Sequence, residues 1–230
     1  MKNIVHLIDN MKFMADIPDN HYDLAICDPP YGISVGSVKH YRTKLTEYKP
    51  KDWDTEPPPK EYFTELFRIS KNQIIWGGNY FTKNLPPSKS WIVWDKKQPE
   101  GLTFSMHELA FCSIPKKQPK IFRHYPGGNR ISNNEEKAKL YKKIHPTQKP
   151  VALYKWTLKN YAKPGWLILD TNVGSGSIRI ACHDLGFDFE GCELDPDYWQ
   201  AQEERYQNHI SQQSLFNTEE IQDLIFEGKE

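Results

Sequence analysis

Seven short apolar runs, each bounded by turn residues, constrain the fold of this chain more than any other feature. They are Ile4-Val5-His6-Leu7-Ile8, Asp23-Leu24-Ala25-Ile26-Cys27, Gln73-Ile74-Ile75-Trp76, Trp91-Ile92-Val93-Trp94, Glu108-Leu109-Ala110-Phe111-Cys112, Trp166-Leu167-Ile168-Leu169 and Phe189-Glu190-Gly191-Cys192. Runs of this length and bounding read as strands of a buried sheet. Helical patterns over 61–71, 151–161, 176–185 and 197–210 lie between several of them. Strands alternating with helices predict an α/β fold with a doubly wound, mostly parallel sheet of seven strands. Two stretches fit no regular element. Residues 34–60 are polar and run into Pro57-Pro58-Pro59, and residues 116–146 are basic and hold Pro126-Gly127-Gly128. Loops this long inside a compact domain are usually functional or mobile.

A length of 230 residues suits one domain carrying a modest insertion. No apolar run approaches a membrane span, and Met1-Lys2-Asn3-Ile4-Val5 does not read as a signal peptide, so a soluble, cytoplasmic protein is expected. Cys27, Cys112, Cys182 and Cys192 are scattered and form no Cys-x-x-Cys pair. They are expected in the core, with no metal and no disulfide framework.

The formal net charge is zero, but its distribution is uneven. Lys116, Lys117, Lys120, Arg123, Arg130, Lys137, Lys139, Lys142 and Lys143 are opposed only by Glu135 and Glu136. A second cluster holds Lys39, His40, Arg42 and Lys44. Charge runs alone are ordinarily solvated faces. These two coincide with the two irregular stretches.

Asp28-Pro29-Pro30-Tyr31-Gly32 directly follows an apolar strand, at the end where α/β sheets bind ligands. The prolines fix the backbone and remove two donors, leaving a carboxylate and carbonyls beside an aromatic ring. That set suits an amino group on a heterocycle. The lone pair of such an amine is delocalised into its ring and attacks poorly. Acceptance of its hydrogens by the Asp28 carboxylate and the Pro29 carbonyl would stabilise the positive charge that develops on nitrogen. Tyr31 would stack on the base, worth roughly 1–3 kcal/mol. An ordinary strand-end turn is the bland alternative.

A second signal is Leu167-Ile168-Leu169-Asp170 followed by Thr171-Asn172-Val173-Gly174-Ser175-Gly176-Ser177 and a helix, an arrangement that lets backbone approach a ligand closely. The next strand ends Gly191-Cys192-Glu193-Leu194-Asp195, about twenty residues on, where an acid can accept from both ribose hydroxyls. The third glycine of a dinucleotide fingerprint is missing, so adenosine fits better than a pyrophosphate. A third signal, His145-Pro146-Thr147-Gln148-Lys149-Pro150, precedes a helix that Thr147 could cap, and Lys149 could pair with a carboxylate.

Together these segments resemble the beta-type DNA amino-methyltransferases, in which the catalytic motif precedes the cofactor motif. The resemblance spans nearly the whole chain, from Val5 to Tyr206. It implies the S-adenosylmethionine-dependent methyltransferase fold, with the seven strands in chain order taking that fold's positions three, four, five, six, seven, one and two. Asp28, Pro29, Pro30 and Tyr31 match the catalytic tetrapeptide. Asp9, Asp28, Thr147, Gln148, Lys149, Asp170, Asn172, Gly174, Gly176 and Glu193 fall in segments implied to meet S-adenosylmethionine. The implied activity is methylation of N6 of a flipped-out adenine in double-stranded DNA, within restriction-modification. In such enzymes a basic region reads the target, here residues 113–145, while residues 34–60 would close over the base. The implied DNA contacts are Lys39, Arg42, Lys44, Lys116, Lys117, Lys120, Arg123 and Arg130. Family members often pair, so a homodimer is a further expectation. One departure stands out: Thr171 and Asn172 replace a proline and a cofactor-packing phenylalanine.

Cytosine-C5 chemistry needs a cysteine nucleophile, typically after proline, and no cysteine here follows one. N4-cytosine methylation shares the required acceptors and remains the near alternative, although Asp28 rather than a serine favours adenine. Glutamine methylation in proteins uses a similar pocket, but with asparagine first and the cofactor motif leading. A catalytically impaired DNA-binding relative is the non-enzymatic alternative, suggested by Asn172.

Overall fold

The computed structural model describes residues 1–34, 51–101, 105–115, 118–125 and 143–216. Its strands are β1 (Asn3–Leu7), β2 (Leu24–Cys27), β3 (Gln73–Trp76), β4 (Ser90–Asp95), β5 (His107–Cys112), β6 (Lys120–Arg123), β7 (Leu167–Asp170) and β8 (Asp188–Glu193). The helices are α1 (Asn10–Ala15), α2 (Lys60–Ile69), α3 (Val151–Tyr161), α4 (Ser177–Leu185) and α5 (Pro196–Phe216). All seven expected strands form, within a residue or so of their expected bounds. One α-helix and one strand were not anticipated. The short helix α1 is capped by Asp9, whose Oδ1 accepts from the Lys12 amide at 3.1 Å. The eighth strand, β6, falls inside the segment read as irregular. It has charged ends and an exposed Ile121, and forms only because β4 offers a parallel partner.

The eight strands make one sheet in the order β1-β8-β7-β2-β3-β5-β4-β6. Pairing is parallel except where β5 runs antiparallel to β3 and β4. The last two strands in sequence, β7 and β8, insert between β1 and β2. Crossovers therefore run from β7 towards β8 on one side and from β2 towards β3 on the other. The carboxyl ends of β2 and β7 flank this reversal, where open α/β sheets hold ligands.

Side chains alternate across the sheet. Leu24, Ile26, Ile74, Trp76 and Ile168 meet Leu153, Leu158, Ile178 and Cys182 of α3 and α4. Ala25, Cys27, Ile75, Phe111 and Leu169 meet Met14, Tyr62, Phe63, Leu66 and Ile69 of α1 and α2. All four cysteines are free and buried. No helix among the described residues is long and apolar enough to cross a membrane, and no cluster there could hold a metal ion.

Helix α2 spans from the core to the ligand end of the sheet, so its packing bears on the site. Leu66 is fully buried beneath it. Leu66→Ala should cost about 2–5 kcal/mol of unfolding free energy, read from the denaturant midpoint at an unchanged slope.

Candidate active site

Asp28 follows β2 directly, and its carboxylate meets two donors: Tyr31 Oη donates to Oδ1 at 2.7 Å, and Lys149 Nζ donates to Oδ2 at 2.5 Å. Lys149 is sealed, with 3 % of its side chain exposed, whereas Asp28 keeps 17 % and lines a cleft. The lysine also pairs with Glu108 of β5 at 2.9 Å, and Glu108 pairs with Lys96 at 2.7 Å. Burial pushes the Asp28 carboxyl up from its ordinary value, against the pull of Lys149. The two nearby carboxylates outweigh burial for Lys149 and raise it.

The turn after Asp28 is held from the segment preceding α2. Asp54 Oδ1 accepts from the amides of Tyr31 at 2.7 Å and Gly32 at 2.9 Å. The Tyr31 ring stacks on Tyr80, with centroids 4.9 Å apart and planes 15° off parallel. Gly77 makes this seat possible: its φ is +69°, and a Cβ there would lie 2.2 Å from the Tyr31 ring.

The cleft beside Asp28 has a volume of about 720 Å³ and reaches across the carboxyl ends of β2, β7 and β8. Glu193 stands at its far side. Its carboxylate accepts from the amides of Gly174 at 2.8 Å and Asp195 at 2.9 Å, one on each oxygen, leaving lone pairs for a further ligand. Burial raises the Glu193 carboxyl. Tyr62, Tyr154, Trp53 and Tyr198 supply aromatic wall. Asn172 also lines the cleft, and its Oδ1 accepts from the hydroxyls of Tyr62 at 3.2 Å and Thr171 at 2.9 Å. At the mouth, Lys51 pairs with Asp195 at 2.5 Å and Asp197 at 2.9 Å.

A family model for DNA methylases of the N6/N4 type matches residues 69–204, more than half of the chain. The chain belongs to this family. Among the curated relatives of this DNA methylase family member is the type II methyltransferase M.HpaI of Haemophilus parainfluenzae. It is 24 % identical, over 87 % of this chain and 73 % of its own length. Another is M2.DpnII of Streptococcus pneumoniae, 24 % identical over 83 % of this chain and 84 % of its own. Solved structures share the fold. The complex of M1.HpyAVI with SAM superposes with a TM-score of 0.58 at 21 % identity, covering 89 % of this chain and 98 % of that one. The cytosine-N4-specific PvuII methyltransferase gives 0.60 at 12 % identity, covering 90 % and 86 %.

The structure gathers most of the residues expected in this family member's site around one cleft: Asp9, Asp28, Pro30, Thr147, Gln148, Lys149, Asn172, Gly174 and Glu193 all line it. Other expected residues stand elsewhere. Asp170 does not line the cleft. It is buried behind the loop, where Oδ1 accepts from the Asn172 amide at 2.9 Å, and burial pushes its carboxyl up to about 8. Gly176 serves the turn: its φ is +69°, its amide donates to the Val173 carbonyl at 2.9 Å, and a Cβ there would meet Gln202 at 3.1 Å. Thr147 does not cap α3, whose N-cap is Pro150; its hydroxyl pairs with His145 Nδ1 at 3.0 Å. Pro29 is buried, and neither it nor Tyr31 lines the cleft. Of the basic residues expected on DNA, Lys120 donates to Asn160 at 2.6 Å and Arg123 pairs with Asp95 at 3.4 Å. Lys39, Arg42, Lys44, Lys116, Lys117 and Arg130 lie outside the described residues. Sequence reasoning missed Glu108, Lys96, Asp54 and Tyr62, which are far from any motif. A charge inside the apolar run of β5 was the available signal for Glu108.

His145 packs between Trp53, at 5.0 Å, and Tyr198, at 4.3 Å. Burial, helped by the Lys149 charge, lowers its imidazole from 6.5 to about 3. A histidine buried neutral contributes stability that is complete above the unfolded value and declines as pH falls below it. NMR titration should accordingly show the His145 ring unprotonated down to about pH 5, with unfolding free energy decreasing from about pH 6.5 downward.

Proposed function

We propose that the protein transfers a methyl group from S-adenosylmethionine to N6 of a flipped-out adenine in double-stranded DNA. The observation that carries this reading is that Asp28 and Glu193 open into one cleft from opposite sides of the strand reversal. A volume of about 720 Å³ lies within the range of pockets for ligands of this size. The donor set also fits. Glu193 has lone pairs for the ribose diol, the Gly174 turn brings backbone close, and Tyr62, Tyr154, Trp53 and Tyr198 provide the aromatic contact that Asn172 does not.

S-adenosylmethionine supplies an electrophilic methyl on a sulfonium. The protein's part is to hold the acceptor amine against it. The Asp28 carboxylate accepts one amine hydrogen, and the Pro29 carbonyl is assigned the other, which frees the nitrogen lone pair. As the N–C bond forms and the C–S bond breaks, positive charge on nitrogen develops beside Asp28 and is stabilised there. One amine proton then passes to solvent water, and the sulfonium departs as a neutral thioether. Tyr31, already fixed by Asp28 and Tyr80, offers its ring to the extruded base, whose removal from the duplex costs a few kcal/mol. The relatives' restriction-modification context and a basic target-reading region at residues 113–145 complete the proposal.

Mass spectrometry of nucleosides from DNA incubated with protein and S-adenosylmethionine should show N6-methyladenine. N4-methylcytosine would replace the base assignment and keep the mechanism, and no methylated base would remove both. Asp28→Asn, which keeps the side chain's shape beside Lys149, should lower transfer by at least about a hundredfold with cofactor affinity nearly unchanged. Near-normal turnover by that variant would overturn the role of the carboxylate. Glu193→Ala should chiefly weaken cofactor binding, roughly tenfold or more by calorimetry, since it removes a charged acceptor.

A further inference from the structure

Four charged groups form a row leading away from the cleft: Asp28, Lys149, Glu108 and Lys96. The contacts are 2.5 Å, 2.9 Å and 2.7 Å in turn, and the signs alternate. Each inner member stands between two partners of opposite charge. Glu108 belongs to β5 and pairs in register with Trp94 of β4, two residues before Lys96, whose ammonium lies over the Trp94 ring at 5.3 Å. None of the described contacts of Glu108 reaches the loop that holds Glu193.

A lysine serving Asp28 alone would hold the carboxylate in place but also withdraw much of the negative potential that an incoming amine needs. We propose that Glu108 is a positioning residue for methyl transfer: held by Lys96, it takes a share of the Lys149 ammonium, so that Asp28 is oriented yet only partly neutralised. The proposal rests on the amino-methyltransferase reading and assigns the row a purpose within it.

The groups facing each member are consistent with this division. Asp28 is met by Lys149, Tyr31 and Glu108, with Tyr154 and Asp170 near enough to be felt. Glu108 is met by Lys149, Lys96 and Tyr31, with Lys143, Asp28 and Tyr154 near enough to be felt. The two lysines push the Glu108 carboxyl down to about 2, so its charge is constant wherever the protein is folded and active. Glu108 in turn raises Asp28.

Two substitutions should act in opposite directions. Glu108→Gln gives Lys149 wholly to Asp28 and removes a like charge, so Asp28 should titrate at lower pH and transfer should fall about tenfold as the acceptor weakens. Lys96→Met leaves Glu108 to draw Lys149 more strongly, so Asp28 should titrate at higher pH. The readout is NMR of carboxyl-labelled aspartate in the full chain without DNA or cofactor, with Asp28 assigned through Asp28→Asn. The acid limb of kcat should follow the same shifts.

Opposite shifts in folded variants support the proposal. Equal or absent shifts overturn it and leave Glu108 a packing residue. Lys96 ends the row with one ion pair where Glu108 holds two, so Lys96→Met should fold even where Glu108→Gln does not, and a missing upward shift in it alone overturns the proposal. The titration needs no turnover. A protein that methylates no DNA therefore refutes the proposed function separately, whereas normal transfer with an unmoved Asp28 refutes only the role of Glu108.

Discussion

The ion pair between Asp28 and Lys149 joins residues 121 positions apart, and the geometry of the site depends on it. Asp28 lies at the end of β2, and Lys149 in the turn that leads into α3. The pair brings the early part of the chain, up to the end of β2, against the later part that begins at α3. Removing one partner from such a buried pair typically costs about 3–5 kcal/mol, because it leaves an uncompensated charge. Both groups are therefore bound to stay together for stability as well as chemistry. Tyr31 completes the junction, since its hydroxyl lies 2.7 Å from Asp28 and 3.2 Å from Lys149.

Sheet order places that junction. Because β7 and β8 insert between β1 and β2, the loops after β2, β7 and β8 open side by side at the strand reversal. The permuted order of motifs along the chain is therefore invisible in the finished site. Glu193 and Asp28 face one cleft although 165 positions separate them (193 − 28). Helix α2 adds a third contribution: its first turn carries Tyr62 into the cleft while Leu66 and Ile69 anchor it to the sheet.

Much of this was legible in the residues themselves. The apolar runs announced the strands because a strand buried on both faces has nothing polar to alternate with. Asp28-Pro29-Pro30-Tyr31 was legible because proline and glycine act locally, through φ and missing donors. The same local reading failed at β6, where Lys-Ile-Phe-Arg has no pattern of its own and becomes a strand only against β4. It failed for Thr147 too, since its hydroxyl found His145 Nδ1 closer at hand than a helix terminus.

The sequence by itself determined seven of the eight described strands, most of the helices, the turn at Asp28 and the family resemblance, because these rest on periodicity and on short segments acting over a few residues. Only the tertiary structure decided which of the motif residues face the cleft. Asp170 and Gly176 belong to the cofactor-loop motif, yet they turn inward to hold the loop, while Asn172 and Gly174 beside them line the cleft. It also decided that Glu108 and Lys96 stand behind the Asp28 carboxylate. No spacing along the chain encodes that arrangement. It arises because antiparallel β5, from a distant segment, delivers Glu108 to a buried lysine, and burial favours charges that pair over charges left alone.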